Sequence, residues 1–575
     1  MAEDNTLTGY RLPVNHEQKK GAVAQGFVTP KQDRIPQIHS IPPKRVLPII
    51  FIPGIMGSNL RMSAARQRDL NKKNNIAWRP DHLSVTIPQR KESARERQQR
   101  LDPDATELDI YDPIANSTGD ATETADQRSS EVRVAGNYVS FSHLDGPMLQ
   151  NDLPGTKNPK TREEKARERG WGEVYFSSYE NILWLCELHL NAAFSKGTMA
   201  TYLAKFILGI APSAWQAHPT PLLKKLDEQT MRDTVKGSWF PVHAMGYNWL
   251  KGNARSGLMI AERIRKLMKR YEDQGFQCEK VILVTHSMGG LVARAVIHPD
   301  IGGLNEHVLG VVHGVMPAIG AGTAYKRVRC GFEGSGVSAK VLGYIGSHVT
   351  PVLGNSQGGL ELLPSQAYGN HWLQVKHNGA TLKSLPENGD PYEEIYKVRD
   401  RWFGLLREEW INPANMPSSG FDATCKLLDR AKKFHNMIAD TYHDQSYAHY
   451  GADRAGPAWE KVVWEIDQHA NVQNVNLLTI VGDDAKGTLQ VTNASLASGK
   501  DNAVKPFNVK LLDPAEPGDQ TVPLHSADAQ LRSGKFKGIF RQTGYEHQGS
   551  YSDSAVLAST LYSLFRIAST MKWSK

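Results

Sequence analysis

Apolar and polar positions are distributed along this chain in blocks. Short β-branched runs closed by small residues recur, among them VLPIIFIPG (Val46 to Gly54), VILVTHS (Val281 to Ser287) and HVLGVVHG (His307 to Gly314). Apolar residues on successive positions are what a strand buried on both faces requires, and such strands belong to parallel sheets covered by helices. ARSGLMIAERIRKLMKRYEDQG (Ala254 to Gly275) instead repeats its apolar residues every three or four positions, which predicts an amphipathic helix ended by Gly275. WFPVHAMGYNWL predicts another strand. FKGIFRQTGYEHQGS predicts a strand and loop leading into a last helix, AVLASTLYSLFRIAST. Strand, helix, strand, abrupt turn and helix in succession predict an α/β fold: a mostly parallel sheet with helices on both faces.

The rhythm is interrupted at several places, and these divide the chain. Residues 1–44 are polar, end in IPQIHSIPPKR and predict an extended arm. Residues 45–320 carry the first part of the sheet, with insertions at about 60–235. The polar insertion text, QRKESARERQQRLDPD, STGDATETADQRSS and TREEKARERG, predicts solvated helices or loops with no chemistry assigned. Between Tyr179 and Trp215 the text becomes apolar and aromatic. It reads either as a core helix or as a lid in which Leu183, Trp184, Phe206 and Ile207 cover a greasy site. Helical text from about Thr323 to His469 predicts a helical cap over residues 321–470. NVNLLTIVGDD then resumes the strands, so that residues 471–575 complete the sheet.

Composition narrows the classes. A chain of 575 residues exceeds one ordinary core, which agrees with a domain carrying long insertions. Lys and Arg outnumber Asp and Glu 68 to 60, a net +8 that suits solubility or attraction to an anionic membrane. No basic and aromatic groove pattern points to nucleic acid. No apolar run is long enough for a transmembrane helix, and the start lacks the apolar core of a Sec signal peptide, so if the protein leaves its cell it is expected to do so by another route. The four cysteines, Cys186, Cys278, Cys330 and Cys425, form no metal-binding spacing, and no EF-hand spacing for Ca²⁺ occurs; no cofactor or metal is assigned.

The candidate chemistry centres on THSMGG. A serine between small residues, at a strand-to-helix junction, has the setting of a nucleophile elbow, although Thr285 stands where the pattern has its first glycine. A serine hydroxyl needs a general base, normally a histidine held in one tautomer by a carboxylate. Downstream of Ser287, EPGDQTVPLHS offers Asp519 in a tight turn and GYEHQGSYSD offers His547 before the last helix. Asp483 and Asp484 compete for the role of acid. An oxyanion hole needs two backbone N–H groups. Met288 supplies one, and the glycine-bearing loop FIPGIMGSNL supplies the other from Ile55, with Met56 as the alternative. His286, His313 and His525 read as structural.

PGIMGSNL, THSMGG, GDQTVP and EHQGSY, in this order, resemble the α/β-hydrolase lipases of the lecithin:cholesterol acyltransferase-like and PGAP1-like groups, and in particular bacterial type VI secretion lipase effectors. The resemblance implies an α/β-hydrolase core with Ser287 as nucleophile, Asp519 as acid and His547 as base. Gln520 departs from it, standing where the pattern commonly has glycine. It further implies a serine lipase or phospholipase that hydrolyses ester bonds of membrane lipids in the periplasm of target cells, an antibacterial toxin with an immunity protein and a secretion-spike carrier as partners. The alternatives are an acyltransferase using the same triad and a secreted interaction scaffold.

Overall fold

The computed structural model describes residues 14–17, 21–27, 36–41, 43–81, 83–110, 149, 151–152, 159–195, 197–334, 336–472, 474–493 and 505–574. Its centre is a six-stranded parallel sheet. The strands are β1 (Ile49–Ile52), β2 (Val242–Ala244), β3 (Val281–His286), β4 (Val308–Gly314), β5 (Ser446–Gly451) and β6 (Phe536–Gln542), in the spatial order β2-β1-β3-β4-β5-β6.

Successive side chains of these strands enter different cores, as a pleated strand requires. Ile50, Ile52, Val281, Leu283 and Val311 join one apolar cluster, whereas Ile49, Phe51, Ile282, Val284 and Val312 join another on the opposite face. The uninterrupted apolar runs of the sequence have this origin. The first face is covered by α2 (Asn253–Asp273), through Ile260, Ile264, Leu267 and Met268, and by α3 (Gly289–Ile297). The second is covered by α1 (Phe176–Asn191) and the last helix, α4 (Ser554–Ala568). The left-handed Gly275, at φ 84°, follows α2 where the sequence places its end.

Three expectations are corrected. The segment 321–470 is not a wholly helical cap. It holds a helix at Phe421–Ile438, but also β5 of the central sheet and the strands Leu373–His377, Ala380–Leu385 and Val462–Ile466. These last three belong to a second six-stranded sheet completed by Leu478–Asp483, Thr488–Asn493 and Phe507–Leu511. NVNLLTIVGDD therefore supplies an edge strand of this second sheet, with Val481 55% exposed, and does not resume the central one. Within the expected N-terminal arm, Val14–Glu17, Gly21–Phe27 and Pro36–Ile41 pair antiparallel, which satisfies backbone groups that a lone extended arm leaves open. Of the polar insertion text, Ala94–Arg100 and Arg162–Glu168 are helices, each opened by a capping box, while STGDATETADQRSS lies outside the described residues.

Burial leaves several histidines neutral. His286, His313 and His449 are each depressed to about 3, and His189 and His435 to about 4, chiefly by loss of hydration. Above the ordinary value of 6.5 neither folded nor unfolded chain protonates these rings. Below it the unfolded chain takes up protons that the native rings refuse, at about 1.4 kcal/mol per pH unit for each proton. Glu361, pushed up to about 8 by burial, and Asp81, Glu173 and Glu460, raised by the same cause, act in the opposite sense, but with His243, His348 and His443 also depressed the histidines outnumber these carboxyls eight to four. The melting temperature is therefore expected to fall as the pH drops from about 7 to 5; a flat or rising profile on acidification would contradict this account.

Candidate active site

Strand β3 passes into helix α3 through Ser287, whose φ of 52° lies in the left-handed region. That conformation costs a non-glycine residue about 1 kcal/mol or more, so the surroundings must enforce it. They do so by close approach. A Cβ on Gly289 would stand 2.4 Å from the Ile52 carbonyl oxygen, one on Gly290 2.5 Å from Met316 Sδ, and one on Gly54 2.9 Å from Ser287 Cβ. The Ser287 N–H donates to the Gly314 carbonyl at 2.8 Å, tying the turn to β4. Thr285 is accommodated: its side chain is buried and its carbonyl accepts from the Tyr551 hydroxyl at 2.8 Å.

His547 Nε2 lies 2.8 Å from Ser287 Oγ, and His547 Nδ1 lies 2.8 Å from Asp519 Oδ2. The other carboxylate oxygen, Oδ1, accepts from the Val522 and Thr521 N–H groups at 2.7 and 3.1 Å. An acceptor-only carboxylate makes Nδ1 the protonated nitrogen of the neutral ring, which leaves Nε2 free to take the Ser287 hydroxyl proton. Asp519 is almost wholly buried and His547 nearly so. The His547 N–H also donates to the Asp519 carbonyl at 2.9 Å, so backbone and side chains of the two loops are joined twice.

The loop after β1 is braced from several directions. The Pro53 carbonyl accepts from Tyr247 Oη at 2.9 Å, the Met56 carbonyl from Trp78 Nε1 at 2.7 Å, and the Gly57 carbonyl from the Tyr175 N–H at 2.9 Å. Among the described residues, no hydrogen bond takes the N–H of Ile55 or of Met288. Ser287, His547, Ile55 and Met56 all line one cavity of about 890 Å³.

Residues 248–313, which span β3, the serine turn and all but the last residue of β4, match the model of the PGAP1-like alpha/beta domain. No curated protein matches the chain in sequence. Among solved structures, the chain is similar to one in the crystal structure of the Tle4–Tli4 complex, at 30% identity and a TM-score of 0.69, over 92% of this chain and 99% of that one. The chain belongs to the Tle4 family. Its fold is that of an α/β-hydrolase.

The other residues singled out in this Tle4-family chain lie elsewhere. Asp483 accepts from Arg329 at 2.8 Å, and Asp484 accepts from the Lys486 and Thr488 N–H groups in a hairpin of the second sheet; neither meets His547. His525 bonds the Tyr368 carbonyl at 2.9 Å, and His313 is buried against the rings of Phe536 and Tyr442. Leu183, Trp184, Phe206 and Ile207 do not line the cavity at Ser287. Leu183 and Ile207 are fully buried in the core under α1, Trp184 packs edge-on against Trp171, and Phe206 is 44% exposed. The apolar spacing of this segment serves the second face of the sheet. Sequence reasoning missed Tyr179, Tyr551 and Arg327, which brace or line the site. Their only signal is an aromatic or basic residue inside text already explained by packing.

Gln520 gives a test of the local backbone. It sits at φ 68°, which explains why glycine suits this position in the resembling pattern. Gln520→Gly is expected to keep or raise the melting temperature, whereas Gln520→Val is expected to cost about 1–2 kcal/mol, because a β-branched residue is disfavoured there. The reverse order in thermal melts would show that backbone conformation is not what this position selects.

Proposed function

We propose that this protein is a serine hydrolase of membrane-lipid esters, most specifically a phospholipase. The observation that carries the reading is the unbroken line from Asp519 through His547 to Ser287 Oγ, ending in the 890 Å³ cavity. In the proposed reaction His547 takes the Ser287 proton while Oγ attacks the acyl carbonyl. The Ile55 and Met288 N–H groups hold the oxyanion, Met288 standing just before the first turn of α3, where backbone dipoles favour negative charge. His547 returns the proton to the leaving alcohol. Water, activated by the same ring, then releases the fatty acid.

The cavity wall supports a lipid with a charged head. Trp78, Phe332, Val337, Leu353 and Leu362 give it apolar surface that an acyl chain can cover. Arg327 brings a guanidinium into the same space, its Nε bonded to Glu333 at 3.0 Å and its Nη2 to Thr521 at 3.0 Å. Glu333 also pairs with Lys326 at 2.7 Å, so two cations share one carboxylate. Burial alone would raise the Glu333 carboxyl, but these two charges outweigh it and hold it below the ordinary value. Within the cluster of Lys326, Arg327 and Glu333 one positive charge is left over, which suits a phosphodiester at that point of a wall that also holds Asp513 and Glu546. One structure similar to this chain is that of a complex of Tle4 with Tli4. By that likeness we assign this chain the role of a secreted antibacterial effector whose producer makes a protein that blocks it.

Ser287→Ala is expected to remove nearly all hydrolysis of vesicle phospholipid with the fold intact, and Asp519→Asn to lower kcat on the order of 10⁴-fold by favouring the wrong tautomer. Retained turnover in Ser287→Ala would reject the nucleophile. Arg327→Gln should lower phospholipid hydrolysis about ten-fold more than hydrolysis of the matching neutral diacylglycerol, a difference of the size of one charged hydrogen bond. Equal losses on both substrates would remove the phosphate preference. Expression in a bacterium with an added export signal is expected to be toxic for the wild type and harmless for Ser287→Ala. Equal toxicity of the two would favour a non-enzymatic role.

A further inference from the structure

We propose that Tyr179 and His286 are positioning residues that lock the proposed base and the proposed oxyanion loop into one frame, an inference that rests on the serine hydrolase reading above. Three hydrogen bonds form an unbroken path between the two. The Gly54 N–H donates to Tyr179 Oη at 3.3 Å, the Tyr179 hydroxyl donates to His286 Nδ1 at 3.1 Å, and His286 Nε2–H donates to the His547 carbonyl at 3.0 Å. The direction is fixed at both ends, since a backbone amide can only give and a carbonyl can only accept. One end is the residue before Ile55. The other is the base itself, and the path runs through the residue preceding Ser287.

The surroundings keep the path intact. Tyr179 and His286 are buried, Tyr179 packs on Phe51 with ring centroids 4.8 Å apart, and His286 faces Tyr551 at 6.0 Å and His547 at 5.2 Å. Loss of hydration pushes the Tyr179 hydroxyl up to about 12 and His286 down to about 3, so neither changes charge over the range in which such an enzyme works. Both ring nitrogens of His286 are thereby committed, which prevents the ring from competing with His547 for the Ser287 proton. Geometry of this kind matters because a displacement of about 1 Å between reacting groups can cost 10²-fold in rate.

The test uses the full chain with Tyr179→Phe, which deletes one hydroxyl and keeps the ring packing, together with His286→Gln, His286→Leu and the Tyr179→Phe/His286→Leu pair. Hydrolysis of a short-chain ester and the rate of Ser287 phosphonylation by a fluorophosphonate are both measured, beside thermal melts. Tyr179→Phe is expected to lower kcat and the phosphonylation rate together by about ten-fold with KM within two-fold. His286→Gln, whose amide can still donate to the His547 carbonyl, should be faster than His286→Leu, and the double variant should be no slower than His286→Leu alone. Unchanged kcat in Tyr179→Phe, or losses that multiply in the double variant, would overturn the proposal. If Ser287→Ala retains hydrolysis, the underlying reading fails; if Ser287→Ala is inactive and Tyr179→Phe is unimpaired, only the positioning role fails.

Discussion

The arrangement depends on one serine held in a left-handed backbone conformation between a strand and a helix. At φ 52° Ser287 adopts a geometry that its own side chain disfavours, and only close packing on every side makes it the lowest state. Gly54, Gly289, Gly290 and Gly314 are each placed so that a single added carbon would collide with a neighbouring strand, side chain or hydroxyl. The turn thereby fixes the distances between β1, β3, β4 and α3. It also fixes where Met288 N–H points and how near the loop at Ile55 can come.

That dependence explains which parts could be read from the sequence. The central strands β1, β3 and β4 are buried on both faces, so every residue is under the same demand and the text is continuously apolar. Helix α2, covering one face only, shows its period directly. The serine turn, the Asp519 turn and the His547 loop were legible because each needs particular residue types within a few positions. Gln520 marks the limit of that approach. It occupies a glycine-like backbone at φ 68° without being glycine, so the turn is recognised only from its neighbours.

What was not legible has a common physical cause. Strand β5, SYAHYG, is wholly buried but is built from tyrosine, histidine and small residues, so it carries no β-branched run. The second sheet shows half-buried alternation, as in Val462, Trp464 and Ile466 buried between half-buried Val463 and Glu465, and short alternating strands between helices are lost in helical text. The segment from Tyr179 to Trp215 stays open between core helix and lid in the sequence for a different reason. Apolar residues at helical spacing state that a face is covered, but not whether sheet or lipid covers it. Here the sheet does.

The two adjacent histidines of the site show how environment divides labour between identical side chains. His286 and His547 lie with ring centroids 5.2 Å apart, and both are buried. His286 meets only neutral partners, a tyrosine hydroxyl and a carbonyl, so burial drives it to remain uncharged. His547 meets a carboxylate, so a proton arriving there finds a compensating charge 2.8 Å away. The neighbouring His547 ring further disfavours a charge on His286. On the proposed reading, the contact with Asp519 is what would set apart a ring that moves a proton from a ring that holds a geometry, since the two side chains are otherwise identical.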